Sequence, residues 1–330
     1  MTEGSGEPQG GAPVNREGSG EPQGGAPVDR VPLPPARVAV LGPGGVGGLL
    51  AALLARRGDQ VTCLAPPATA ARLAAGGLEL RSPALGDVRV AVEAATRLDH
   101  PVDTLFVTVK AAQLEAAAEA VPAGTLGHGL VVPFLNGIDH VAWLRGRYPP
   151  DQVVAGTIRV ESTRVAPGVI EHASPFAVVE LAAGKAPRRR VEELADRLAE
   201  TGLDVTVRDD EATTLWSKLA VLAPIALLTT WTATPIGEAR AGHWDELAAV
   251  AHEIVLAARA DGVELDEAAT VALLERVPDP MRSSMQKDAA AGRPIELDAI
   301  GGTILRAADR VGTDAPVTAR LVADLRERYG

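Results

Sequence analysis

The chain has 330 residues, enough for two domains of ordinary size, and an apolar share of 46% that can fill two cores with Ala, Val and Leu, since aromatics are only 3%. A formal net charge of −11 argues against a nucleic-acid partner, and a single cysteine, Cys63, excludes an intramolecular disulfide, which suits the cytoplasm. No run predicts a membrane span: the apolar stretch after Lys218 reads as broken by Pro224 and again by the Trp-Thr-Ala-Thr-Pro run that ends at Pro235.

Residues 1–36 are expected to be a disordered tail. EGSGEPQGGAPVNR at 3–16 recurs as EGSGEPQGGAPVDR at 17–30, and so polar a Gly/Pro-rich stretch buries too little apolar area to offset its chain entropy. It has neither the apolar core nor the basic start of a signal peptide. From Arg37 strands and helices alternate. RVAVLG (37–42) reads as a strand, LLAALLARRG (49–58) as a helix stopped by Gly58, and QVTCLA (60–65) as a strand that places Cys63 in a core. LELRS and VRVAVEA suggest a hairpin or crossover. TLFVTVK (104–110) and GLVVPFLNG (129–137) are buried strands, with a helix between them. This alternation predicts an α/β fold, a doubly wound parallel sheet of Rossmann type. The later runs VVAGTIRVESTRV, GVIEHAS, FAVVELAA and LDVTVRDD read as antiparallel strands of the same domain, interrupted by a helix near 187–201 whose leading Arg188, Arg189 and Arg190 form a solvated face.

Near 209–211 the period changes. WDELAAVAHEIVLAARADG stops at Gly262, DEAATVALLERV follows with Asp266 as N-cap, and IELDAIGGTILRAADRVG and PVTARLVADLRERY complete an all-helical region. The expected division is therefore a dinucleotide-binding domain at 37–209 and a helical, substrate-binding domain at 210–330.

GPGGVGG at 42–48 carries the chemistry that is easiest to read. Gly42, Gly44 and Gly47 make G-x-G-x-x-G directly after a strand and at the start of a helix, the context a dinucleotide site requires. Gly42 permits the tight turn, Gly44 the close approach of a pyrophosphate and Gly47 the packing of helix on sheet. Gly45 and Val46 complete the loop at the helix N-terminus. The bland reading is a plain glycine-rich turn. An NAD site carries an acid at the end of the second strand and an NADP site a base. Positions 64–68 hold neither, and Arg72 is the nearest base. The balance leans to NADP, with NAD not excluded.

Beyond the loop, the sequence carries VTVKAAQ at 107–113, FLNG at 134–137, LWSKL at 215–219, SSMQKD at 283–288 and GRPIELDAIGG at 292–302. In this order the motifs resemble those of the ketopantoate reductase (2-dehydropantoate 2-reductase) family, from about Arg37 to the C-terminus. The resemblance implies a Rossmann domain followed by a helical domain, with the active site between them. It implies NADPH-dependent reduction of a 2-oxo acid, most directly 2-dehydropantoate to pantoate in pantothenate biosynthesis. Lys110, Gln113, Asn136 and Glu296 would line the cofactor; Asn136 and Ser284 would contact substrate; Lys218 would be the catalytic lysine and Glu296 the active-site glutamate, holding that ammonium.

A cation beside the carbonyl oxygen stabilises the negative charge that develops as hydride arrives, and can deliver the proton. The bland alternatives are a snorkelling Lys218, a capping role for Ser283 and Ser284, and a helix-start role for Glu296. One departure stands out. The family carries asparagines four and eight residues after the lysine, where this chain has Leu222 and Ala226. An apolar wall there points to a less polar 2-oxo acid, ketone or imine as the alternative substrate, and a non-catalytic NADP-binding protein is the second alternative. Histidines 100, 128, 140, 172, 243 and 252 show no metal-ligand spacing. The expected partner is a small-molecule substrate, with no nucleic acid, membrane or metal, and the chain a monomer or homodimer.

Overall fold

The computed structural model describes Met1 and residues 33–330, so the tandem repeat lies outside the described residues. Pro34–Gly330 holds together as one unit. It opens with β1 (Arg37–Leu41), α1 (Gly45–Arg57), β2 (Gln60–Leu64), α2 (Pro67–Gly76), β3 (Leu78–Arg81), β4 (Val88–Val90), β5 (Glu93–Ala95) and β6 (Thr104–Val107). A 3₁₀ turn at Ala111–Gln113 leads to α3 (Leu114–Ala118) and α4 (Ala123–Leu126), then β7 (Leu130–Pro133) and α5 (Asp139–Arg147). β8 (Ala155–Arg159), β9 (Ser162–Ala166), β10 (Val169–His172), β11 (Val178–Ala182), α6 (Arg188–Ala199) and β12 (Asp204–Arg208) end the strand-bearing part.

The principal sheet is parallel throughout, in the order β5-β2-β1-β6-β7. Winding reverses beside β1, so the carboxyl end of β1 opens at the switch point where ligands bind such sheets. The near-continuous apolar strands follow from cover on both faces. Within β1, Val38 and Val40 enter one core with Leu49, Leu50, Leu53 and Leu54 of α1, while Ala39 and Leu41 enter the other with Leu105, Val107, Val141 and Leu144. Fully burying each such leucine contributes about 1.5–3 kcal/mol. Cys63 is buried in β2, where burial pushes its thiol up to about 12.

The later strands depart from the antiparallel expectation. β8 pairs antiparallel with β11, and β9 with β10, but β10 runs parallel to β3 and β11 parallel to β12. The helix expected near 187–201 is the reason for the second case: α6 is a crossover long enough to bring β12 back in the same direction as β11. On α6, Arg188 and Arg189 pair with Glu192 and Glu193 one turn on, as a solvated face would.

The helical part comprises α7 (Glu211–Thr232), α8 (Ile236–Gly242), α9 (Trp244–Ala258), α10 (Glu267–Glu275), α11 (Ser284–Ala290), α12 (Thr303–Val311) and α13 (Pro316–Tyr329). Asp210 caps α7 by accepting from the Thr213 amide, and Asp266 caps α10 through the Ala269 amide. Pro224 does not break α7, which continues to Thr232. The missing amide removes one ladder bond, and burial of the segment from Ala223 to Thr230 against α9, α11 and α13 outweighs that loss. α7 is long and apolar enough to cross a membrane, yet 67% of its apolar window is buried inside the fold. The helical stretch IELDAIGGTILRAADRVG holds two pieces, a π-helical turn at Asp298–Gly302 and then α12.

Candidate active site

The glycine loop is closed on three sides. Gly42 has φ +87°, a left-handed turn that favours glycine, and a Cβ there would lie 2.5 Å from Val109. A Cβ on Gly47 would meet the Thr108 hydroxyl and the Gly42 carbonyl at 2.3 and 2.5 Å, and one on Gly45 would meet the Ser162 carbonyl at 2.1 Å. Thr108 Oγ1 donates to the carbonyls of Leu41 and Gly42, and Ser162 Oγ to that of Gly45. Only Gly44 faces open space, with its nearest neighbour at 3.9 Å. α1 has no side-chain cap and no acid in its first turn, so the amides of Gly45, Val46 and Gly47 are left for a ligand. An open Gly44 over an uncapped helix end fits a pyrophosphate. Arg72 is exposed on α2, the helix that follows β2.

The residues implied by the resemblance converge from both parts of the unit. Glu296, 8% exposed, accepts from Lys110 Nζ at 3.0 Å, the Ala111 amide at 3.2 Å and Asn136 Nδ2 at 2.9 Å. Strand ends β6 and β7 supply Lys110 and Asn136, while Glu296 arrives from the segment before the π-helical turn. A Cβ on Gly137, at φ +79°, would lie 2.3 Å from the Ala299 carbonyl, so the turn after Asn136 packs directly on that segment. Asp288 on α11, to which the sequence reading assigned no role, binds Lys110 Nζ at 2.7 Å and Arg293 at 2.9 Å. Its signal was available: it stands four residues after Ser284, on the same helix face.

Lys218 lies half-buried on α7, and its Nζ approaches the carbonyl of Leu135, the neighbour of Asn136, at 3.5 Å. Here the expectation needs correction. Glu296 was to hold the Lys218 ammonium, but its carboxylate hydrogen-bonds to Lys110 instead and acts on Lys218 only through its field. Burial pushes Lys218 down to about 8; Glu296 opposes the shift and Arg159 adds to it. For Lys110, burial also lowers the pKa, but Glu296 and Asp288 outweigh it and the net direction is up.

Other expected residues sit less centrally. Ser283, not Ser284, caps α11: its hydroxyl accepts from the Gln286 amide and pairs with Thr229 of α7 at 2.9 Å, leaving Ser284 exposed at the first position of the helix. Gln113 is exposed in the 3₁₀ turn. Leu222, one turn from Lys218, is half-buried, but Ala226 is 0% exposed in the helical core, because the face starting at Lys218 sinks beneath α7's neighbours. Ala226 therefore lines no open wall. The sequence reading also missed Ser162 and Thr108 behind the glycine loop, and Lys287, which pairs with Glu161 across the junction.

Residues 38–184 match the family model described as ketopantoate reductase PanE/ApbA, and residues 210–328 match its C-terminal counterpart. A 2-dehydropantoate 2-reductase of Caulobacter vibrioides is 30% identical over 296 residues, spanning 87% of this chain and 97% of that protein. The crystal structure of a PanE/ApbA family ketopantoate reductase from Ralstonia eutropha JMP134 superposes with a TM-score of 0.80 at 27% identity, covering 89% of this chain and 98% of that one. D-mandelate dehydrogenase, in its ternary structure with NADH and anilino(oxo)acetate, shares the fold at a TM-score of 0.82 and 22% identity, with 89% and 98% covered.

Proposed function

Because the chain belongs to the ketopantoate reductase family of nicotinamide-dependent oxidoreductases, we propose that it reduces a 2-oxo acid to the 2-hydroxy acid, with 2-dehydropantoate the first substrate to try and NADPH the reductant. One observation carries the reading: Glu296 draws Lys110, the Ala111 amide and Asn136 together beside the carbonyl that Lys218 touches, at the end of the sheet where the glycine loop opens. The bound nicotinamide would supply a hydride to the carbonyl carbon. Lys218 would meet the oxygen that gains charge, and an ammonium whose pKa is brought down to about 8 gives up its proton more readily than a solvated lysine. Asn136, fixed through its amide by Glu296, would orient the reacting carbonyl. Gly44 and the amides of Gly45, Val46 and Gly47 would take the pyrophosphate, and Ser284 at the head of α11 would bind the substrate carboxylate.

Leu222 favours a second reading. A leucine one turn from Lys218 leaves a substrate hydroxyl without a partner on that side, so a less polar 2-oxo acid or ketone would be preferred. Steady-state oxidation of NADPH and NADH against 2-dehydropantoate, 2-oxoisovalerate and phenylglyoxylate tests both. Turnover of 2-dehydropantoate at the highest kcat/KM supports the first reading, and a higher kcat/KM for the apolar acids replaces it with the second. Binding of NADPH without turnover of any of the three would sink both.

A further inference from the structure

His140, the second residue of α5, is 5% exposed, and both of its ring nitrogens are buried without a hydrogen-bond partner among the described residues. Buried polar groups are rarely left so, and an unmet imidazole at the edge of a reaction site marks a missing partner. The contacts that α7 makes with α5 and with the loop before it indicate which partner. Arg145 grips Glu211 through two bonds of 2.7 and 2.6 Å. Leu144 and Val141 of α5 belong to one core cluster with Leu215, one turn beyond Glu211 on α7. Lys218, one turn beyond Leu215 on α7, lies beside the loop that leads into α5, five residues before His140. That lysine carries three donors and, among the described residues, has one hydrogen-bonding contact, the Leu135 carbonyl at 3.5 Å, which is long for a hydrogen bond. The two groups feel each other: after burial, the Lys218 charge is what most depresses the imidazole, which is pushed down to about 3 and stays neutral.

We propose that His140 is a positioning residue for Lys218, its neutral imidazole accepting a hydrogen bond from Nζ as the ammonium turns from the Leu135 carbonyl toward the substrate oxygen. This rests on the proposed reduction. The other charges acting here are Glu296 and Arg159 on Lys218, and Asp139 on His140, with Asp139 itself tied to Arg306 and Thr303. All three remain when His140 is replaced, so a change in Lys218 can be read as the loss of the imidazole.

The test compares His140→Leu with His140→Gln, whose amide oxygen can accept, using kcat and KM for 2-dehydropantoate with NADPH across pH. Lys218 must be protonated to act as an acid, so activity falls as pH rises through its pKa. Losing an acceptor from a charged donor should move that basic limb down by about one pH unit and lower kcat roughly tenfold, with KM changed less than about twofold. His140→Gln should restore the limb. Acetic anhydride labelling of Lys218 against pH, followed by mass spectrometry without substrate, should show the same downward shift. An unmoved limb and labelling curve in a folded His140→Leu protein would overturn the proposal, as would a glutamine variant that behaves like leucine. His140→Phe takes the place of leucine if that variant does not fold. A wild-type protein that reduces no 2-oxo acid defeats the proposed function alone, because the labelling still decides the role of His140.

Discussion

The corner that carries Lys110 and the middle of α7 that carries Lys218 hold the same functional group in opposite conditions. Lys110 meets two carboxylates within 3.0 Å, remains 41% exposed, and is held as a cation. Among the described residues Lys218 has a single distant carbonyl as hydrogen-bond partner, and burial pushes it toward losing its proton. The lesson is that a carboxylate in contact stabilises a charge where it stands, whereas a carboxylate at a distance leaves the proton available. Glu296 serves both purposes by touching one lysine and only influencing the other.

Removing Lys218, the proposed proton donor, should have the largest effect. Lys218→Ala is expected to lower kcat/KM by about 10²–10⁴ in the NADPH assay without lowering Tm, since it deletes a poorly solvated charge; a loss below threefold would put the two lysines on an equal footing. Glu296→Gln comes next, with a loss of about 10–100-fold as Lys110 and Asn136 lose their charged anchor. The same variant deprives Lys218 of the carboxylate that raises its pKa, so the basic limb of the pH profile should move below about 8. Movement upward would contradict the assignment of the distant field.

A stability measurement sharpens the contrast from the side of His140. Its folded pKa of about 3 lies below the ordinary 6.5, so the unfolded chain takes up the proton first as pH falls. Stability should therefore drop between about pH 6.5 and 3, by up to about 1.4 kcal/mol per unit from this group, and His140→Leu should flatten the slope in urea titrations. The smallest effect belongs to Lys110→Met. Solvent screens a lysine this exposed, so its pairs contribute within about 1 kcal/mol, and the expected change is a few-fold rise in KM for NADPH at nearly constant kcat.

What was legible in the sequence was what is decided locally. The strand before Gly42, the αL stop at Gly58 and the cap at Asp266 are settled by residues a few positions apart, and so is the glycine loop. Partner choice is settled by distant chain segments. Nothing near Glu296 says that its carboxylate will meet Lys110, 186 positions earlier, before Lys218 can. Pro224 misleads for the same reason, because its local cost is visible in the sequence and the packing that overrides it is not. Ala226 was placed correctly on the Lys218 face, but helical periodicity cannot show that this face descends into the core.

The serine that braces the glycine turn also ties it to distant chain. Ser162 bonds to Gly45 across 117 residues, and its own carbonyl fills the space a side chain on Gly45 would need. A glycine loop so dependent on remote chain is a product of high contact order, and should acquire its shape late in folding, after β9 has docked. An excised strand–helix–strand fragment ending at Leu64 would keep every glycine of the fingerprint and still lack the wall behind it.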